Sequence, residues 1–283
     1  MLIMKEILWF YGFRAFYNVK HPVLAPLRIL RKVAGRLGGH RDVLAKGDLL
    51  PRTVPKKIWI FWAQGWDNAP PLVKLCRDSW TANNPNYEIN LLSQDDIVQY
   101  VTLDYSLEGK KLTPTNYSNI LRLSILSKYG GVWVDATTFC SAPLDSWVPF
   151  IMQSGFFAFE KPKTTVADWI LVAEINNPLI VCWEKYVKLY WKFAFEQGPY
   201  FWPHYLFEYM LMYEQGVRSI WSRTPRISSD GPYEAQRFFK AGNTDMDIFT
   251  GILLGKKSPL QKLDWRMDVP EAVISKIRLQ LTK

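Results

Sequence analysis

No GxxxxGK[ST] phosphate loop, HExxH helix or GxSxG elbow occurs in this chain of 283 residues. Those absences remove P-loop nucleotide hydrolysis, zincin-type proteolysis and elbow-type serine hydrolysis from consideration. Histidine and cysteine are scarce, three of each. Cys76, Cys140 and Cys182 are far apart and odd in number, so reduced thiols in a cytosolic compartment are expected rather than a disulfide framework or a zinc site. No run reaches the roughly 20 apolar residues of a membrane-spanning helix. No internal repeat or low-complexity linker divides the chain after residue 55. Despite a net charge of +9, no interleaving of basic and aromatic residues resembles an RNA-binding pattern, and no nucleic-acid partner is expected.

What is present is apolar and aromatic. The hydrophobic fraction of 48% argues for a packed globular core, and thirteen Trp exceed what such a core usually needs. Some are expected at a sugar, lipid or membrane surface. The positive charge is local: residues 1–50 hold nine Lys or Arg against three Asp or Glu. This segment reads as one or two amphipathic helices broken around Pro22 and Pro26. Leu8, Trp9, Phe10, Phe13 and Phe16 are then available to a membrane interface, and Arg28, Arg31, Lys32 and Arg36 to anionic headgroups. The alternative is that the same residues cap the core or pair subunits.

From residue 51 the pattern alternates between strand and helix, which is α/β. Ile58 to Trp62 reads as a buried first strand, residues 68–80 as a helix opened by Pro70 and Pro71, and residues 88–92 as a short strand. Ser93 and Asp96 form a capping box. Residues 115–129 are the most regular helix, stopped by Gly130 and Gly131. A buried strand at 132–134 follows, and Asp135 falls where it emerges, as a strand-end cap or as a ligand-binding group at the carboxyl end of the sheet. Another strand is expected at 155–160, helices at 166–175, 179–195 and 205–215, and a final helix near the C-terminus with Val273, Ile277 and Leu281 in a stripe. Asp230, Asp245 and Asp247 lie in polar, loop-like sequence, as turn or cap residues or as acceptor contacts. The expected division is 1–50 as the amphipathic segment, 51–268 as the main domain and 269–283 as the terminal helix.

The stretches VPKKIWIFWAQG, APPLVKLCRDSW, NPNYEINLL, NYSNILRLSILSKYGGVWVDATTF, GFFAFEK and SPLQKLDWR, in this order and spacing, resemble the capsular polysaccharide synthesis proteins. These are related to DxD-containing, family-32-like retaining glycosyltransferases of the GT-A fold. The resemblance covers residues 53–266. It implies a GT-A-like nucleotide-sugar-binding fold with a mainly parallel central sheet, and transfer of a hexose with retention. Phe61, Trp62, Ala63, Gln64 and Gly65 are implied to border the base and ribose. Asn119 and Arg122 stand where the family has an Asp and an Arg over the donor sugar. Asp135 takes the first acidic position of the DxD motif and Thr137 the second. Gln261 and Lys262 occupy a place where related chains carry His-Lys.

The resemblance thus implies catalytic roles for Asp135, Arg122 and Lys262, and a Mn²⁺ or Mg²⁺ ion held by Asp135 and Gln261 with the diphosphate. Hard oxygen ligands suit such an ion, but only one carboxylate is on offer. Negative charge grows on the nucleotide diphosphate as the glycosidic bond breaks, and Lys262 is the preferred cation to meet it. The implied partners are a nucleotide-sugar donor, with UDP-hexose as a family-level guess, and a saccharide or lipid-linked saccharide acceptor. With the basic N-terminus, that places the enzyme in the cytoplasm, peripheral on an anionic membrane surface. The other reading is a catalytically reduced sugar- or polyanion-binding protein that kept the fold, supported by Asn119, Thr137 and Gln261.

Overall fold

The structure is a computed structural model that describes residues 2–19, 53–161 and 165–282. β1 (Lys57–Phe61) forms because Ile58, Trp59, Ile60 and Phe61 are apolar without a break, and all four are buried. It lies parallel to β2 (Glu88–Leu92) on one side and β3 (Gly131–Asp135) on the other. β6 (Thr165–Ala173) runs antiparallel to β3 and to β5 (Phe156–Lys161). The order is β2-β1-β3-β6-β5. The sheet is therefore mixed, not mainly parallel. A two-stranded ribbon of β4 (Thr138–Cys140) and β7 (Leu260–Lys262) stands beside it.

The helices are α1 (Leu2–Val19), α2 (Pro71–Asn83), α3 (Ile97–Tyr100), α4 (Pro114–Tyr129), α5 (Pro178–Phe193), α6 (Trp202–Tyr213), α7 (Gln215–Arg223), α8 (Glu234–Lys240), α9 (Met246–Leu254) and α10 (Glu271–Leu281). Strand alternation sorts the core. Trp59, Phe61, Trp133 and Leu171 face α4, α5, α6 and α7, while Ile58, Ile60, Val132, Val134, Phe157 and Ile170 fill the opposite side. A third cluster joins α2, α9 and α10 around Phe139. In α10 the buried stripe is Ile274 and Ile277, with Val273 and Leu281 only partly covered.

Residues 166–175, expected as a helix, are mostly β6. The run is apolar almost throughout and Val166, Ala167, Trp169, Ile170, Leu171, Val172 and Ala173 are all buried, so it carries no period that separates a strand from a core helix. The ladders to β3 and β5 decide it. The polar stretch near residues 230–254 holds α8 and α9, and Asp245 caps α9 by accepting the N–H groups of Asp247 and Ile248 at 3.0 and 3.1 Å. Ser93 and Asp96 do form the capping box.

Gly130 and Gly131 are both left-handed, at φ of 61° and 97°. A Cβ on Gly131 would lie 2.5 Å from the Lys57 carbonyl oxygen. Only glycine lets β3 begin this close to β1.

α1 docks against α5 and α6. Phe10 and Phe13 are buried, and Trp9 and Phe16 pack against the same cluster. Burying a Phe this way stabilises by about 1.5–3 kcal/mol. Four of the five residues expected at a membrane thus contact the core, and of that set Leu8 is exposed, with Met4 and Tyr11 beside it in sequence. Arg28, Arg31, Lys32 and Arg36 lie outside the described residues. Among the described residues no helix is long and apolar enough to cross a membrane.

Candidate active site

Because β1, β2 and β3 are parallel, their carboxyl ends share one edge, where open α/β sheets receive ligands. Phe61 and Asp135 sit side by side there. β5 runs parallel to β3 through their common partner β6, so Lys161, its last residue, reaches the same edge. The antiparallel register pairs Val134 with Ile170, and two residues earlier in β6 Asp168 falls just beyond the end of β3. Asp135 shares the sheet face of Trp133, toward α4.

α4 presents Arg122 on that face, buried, with its guanidinium carbon 5.5 Å from the centre of the Trp133 ring. Nε donates to the Ser118 carbonyl at 3.2 Å and Nη2 to the Ser118 hydroxyl at 2.9 Å. Nη1 donates to the Asp168 carbonyl oxygen and lies 3.2 Å from Asp168 Oδ2. Nη2 also lies 3.4 Å from Asp135 Oδ1. From the other side, β7 brings Lys262 Nζ to 3.5 Å from Asp135 Oδ2, and the same ammonium donates to the Thr137 hydroxyl. Asp135 is thus held between two cations.

The three residues expected to act together, Asp135, Arg122 and Lys262, therefore meet, with Thr137 against Lys262. Asn119 is buried one turn before Arg122 in α4. Phe61 ends β1, and Trp62 to Gly65 form the loop that follows it. Its backbone is tied to β2 and beyond by Trp62 N–H to the Leu92 oxygen at 2.9 Å and Gln94 N–H to the Ala63 oxygen at 3.2 Å.

Gln261 is not part of this meeting. Alternation along β7 sends it to the face opposite Lys262, where it is fully buried and its Oε1 accepts the Ala235 N–H at 3.2 Å. The two residues expected to hold a divalent ion, Asp135 and Gln261, therefore stand apart. Among the described residues no group of three or more His, Cys, Asp or Glu is arranged to hold a metal. An ion at Asp135 would share a single carboxylate with two fixed cations 3.4 and 3.5 Å away. Asp135 is the single carboxylate on offer there, so the other oxygens of a hard divalent ion would come from the diphosphate and water.

Sequence reasoning missed four members of the site. Asp168, hidden by the helix expected over β6, was detectable as the one acid in the apolar run VADWILVA. Burial works to raise its pKa, but His204 and Arg122 outweigh it and hold the carboxyl below the usual range. His204, in the first turn of α6, places Nε2 3.2 Å from Asp168 Oδ1. Lys161 has its pKa lowered by burial, with the positive charge of Lys262 adding to the effect and Asp168 opposing it. Burial, then the charges of Asp135 and Asp168, raise that of Tyr233. Arg122, Lys161 and Lys262 thus face two carboxylates, and the excess of positive charge suits an anionic ligand. The thiols take no part: burial pushes Cys76 and Cys140 up to about 12.

Residues 16–280 match the family described as "Capsular polysaccharide synthesis protein", a wider span than the resembling stretches. Over 165 residues the chain is 27% identical to the O-glycosyltransferase braB of Annulohypoxylon truncatum, covering 50% of this chain and 39% of that protein. Over 104 residues it is 29% identical to the initiation-specific alpha-1,6-mannosyltransferase of Saccharomyces cerevisiae, covering 33% and 22%. The chain matches well under half the length of either curated relative. Among solved structures, the PaToxG glycosyltransferase aligns over 82% of this chain and 88% of its own, at 13% identity and a TM-score of 0.41.

Proposed function

Because the chain belongs to the capsular polysaccharide synthesis protein family, we propose that it is a glycosyltransferase. Its donor is a nucleotide-sugar, UDP-hexose in the first instance, and its acceptor a capsular or other surface polysaccharide, lipid-linked while it grows. The observation that carries this reading is the convergence of Arg122, Asp135 and Lys262 at the carboxyl edge of the parallel strands. The diphosphate lies against Lys262 and Arg122, and Phe61 and the loop of Trp62 to Gly65 border the base and ribose.

In transfer with retention, the bond between the anomeric carbon and the diphosphate oxygen breaks as the acceptor hydroxyl attacks on the same face. A phosphate oxygen takes the hydroxyl proton. Lys262 meets the charge that develops on the leaving diphosphate, Arg122 orients the donor, and Asp135 keeps both cations placed and accepts a ribose hydroxyl. These roles belong to the chain's own residues, and no step is routed through a divalent ion. Calorimetric titration of the protein against a panel of nucleotide sugars, with Mn²⁺ and with EDTA, tests this. One donor is expected to bind selectively in both conditions and to be turned over with a saccharide acceptor. Binding that vanishes in EDTA would return the ion to the site, and binding without transfer or donor hydrolysis would favour the reduced sugar-binding protein.

A peripheral position on the cytosolic face of the membrane completes the reading, supported by the basic residues of 1–50 and by exposed Met4, Leu8 and Tyr11. The full chain is expected to sediment with anionic liposomes, and replacing these three by Ser to weaken that binding several-fold. Unchanged sedimentation of the triple variant would move the contact elsewhere.

A further inference from the structure

Every nitrogen of the Arg122 guanidinium is engaged. Nε donates to the Ser118 carbonyl, Nη2 to the Ser118 hydroxyl and to Asp135, and Nη1 to the Asp168 carbonyl, with the Asp168 carboxylate paired to the same nitrogen. The contact to Asp135 at 3.4 Å is the longest of those with a stated length, so small shifts of the guanidinium are felt there first. Asp168 is the group best placed to set them, because it grips Nη1 through both its backbone and its side chain.

Asp168 is itself tethered. Its Oδ2 faces Arg122 and its Oδ1 faces His204 Nε2, each at 3.2 Å. His204 is buried, with the Phe201 ring edge-on to it at 5.4 Å between centres. Its Nδ1 is buried without a hydrogen-bond partner. A histidine placed only to fill space is readily replaced by an apolar ring, whereas burying an unmatched ring nitrogen has a cost. The polar contact this ring does make is with Asp168. We propose that Asp168 and His204 are positioning residues for Arg122: the His204 N–H fixes the rotation of the Asp168 carboxylate, and the carboxylate fixes the guanidinium against Asp135. The inference rests on the proposed transferase reading for its kinetic consequences, though not for its structural ones.

Three variants separate this from a purely structural role. His204→Phe keeps the ring volume and removes the N–H donor; kcat is expected to fall about 10- to 100-fold while donor KM changes less than about 3-fold. His204→Gln, which keeps an N–H donor, is expected to restore kcat to within about 3-fold of wild type. Asp168→Asn keeps the shape, removes the charge and carries the same test should His204→Phe fail to fold. In an Arg122→Lys background the His204→Phe loss is expected to disappear, since the residue acts through Arg122. Full activity of folded His204→Phe or Asp168→Asn protein, or an equal loss in the Arg122→Lys background, overturns the proposal. A crystal structure of Asp168→Asn gives a reading that needs no substrate. A guanidinium displaced from Asp135 supports the proposal and one left in place overturns it, even if the wild type proves inactive on every donor and the transferase reading itself falls.

Discussion

Lys262→Ala is expected to lower kcat about 100- to 1,000-fold, the scale on which removing one preorganised donor to a developing anion acts. Donor affinity should fall much less, because ground-state diphosphate is also met by Arg122 and Lys161. The argument starts from the β4–β7 ribbon. Pairing of Thr138 with Lys262 sets the lysine beside Thr137, and the Thr137 oxygen accepts the Leu263 N–H at 2.8 Å, so the backbone on both sides of Lys262 is pinned. Its side chain is largely covered, at 14% exposure, and its ammonium lies 3.5 Å from Asp135. A charge held this way requires little reorganisation when the leaving group departs. The fold should survive the change, since Lys262 ends a strand at the rim of the core. Kinetics over a range of donor concentrations decide the matter. A loss confined to KM would make Lys262 a binding residue and leave the leaving group to another cation.

Arg122→Ala is expected to cost about 3 kcal/mol of stability, measured by chemical denaturation, because it strands partly covered carboxylate charge. Asp168 would keep His204 and the more distant charge of Lys161, and Asp135 would keep Lys262. The pH dependence follows from the same pairing. The Asp168 carboxyl is held below the ordinary range in the folded protein, so its contribution is present above the unfolded carboxylate value of about 4 and fades as pH drops toward the folded one. Without Arg122, burial is less opposed and the folded pKa rises. With its folded value closer to the unfolded one, this carboxyl should cost the variant less stability on acidification, so the variant's acid limb should be shallower below about pH 4 than that of the wild type. A variant as stable as wild type, with an unmoved acid limb, would mean that solvent screens this network far more than an Arg122 side-chain exposure of 5% implies.

Local signals in the sequence carried the first half of the fold well. The Pro-opened helix, the capping box at Ser93 and Asp96 and the helix ended by Gly130 each rest on neighbours a few residues apart, and so did the place of Asp135 at a strand end. The mixed sheet was not legible, because its direction depends on residues 166–173 being a strand, and an apolar run buried on both faces has no telling period. That one misreading concealed Asp168. His204 was further out of reach, since its link to Asp168 spans 36 residues and depends on α6 packing over β6. Gln261 shows the opposite limit: family position paired it with the donor, while alternation along a three-residue strand turned it away.

The docking of α1 has a consequence during synthesis. Glu6 on this helix pairs with Lys192, 186 residues later, beside the ring contacts of Phe10 and Phe13 with Tyr190. At roughly 5–20 residues per second a ribosome needs about 10–40 s to make that interval. Throughout it, a helix of Ile, Leu, Trp and Phe waits in the open for the surface that will cover it, and whatever shelters the nascent chain, chaperone or bilayer, must release it when α5 and α6 arrive.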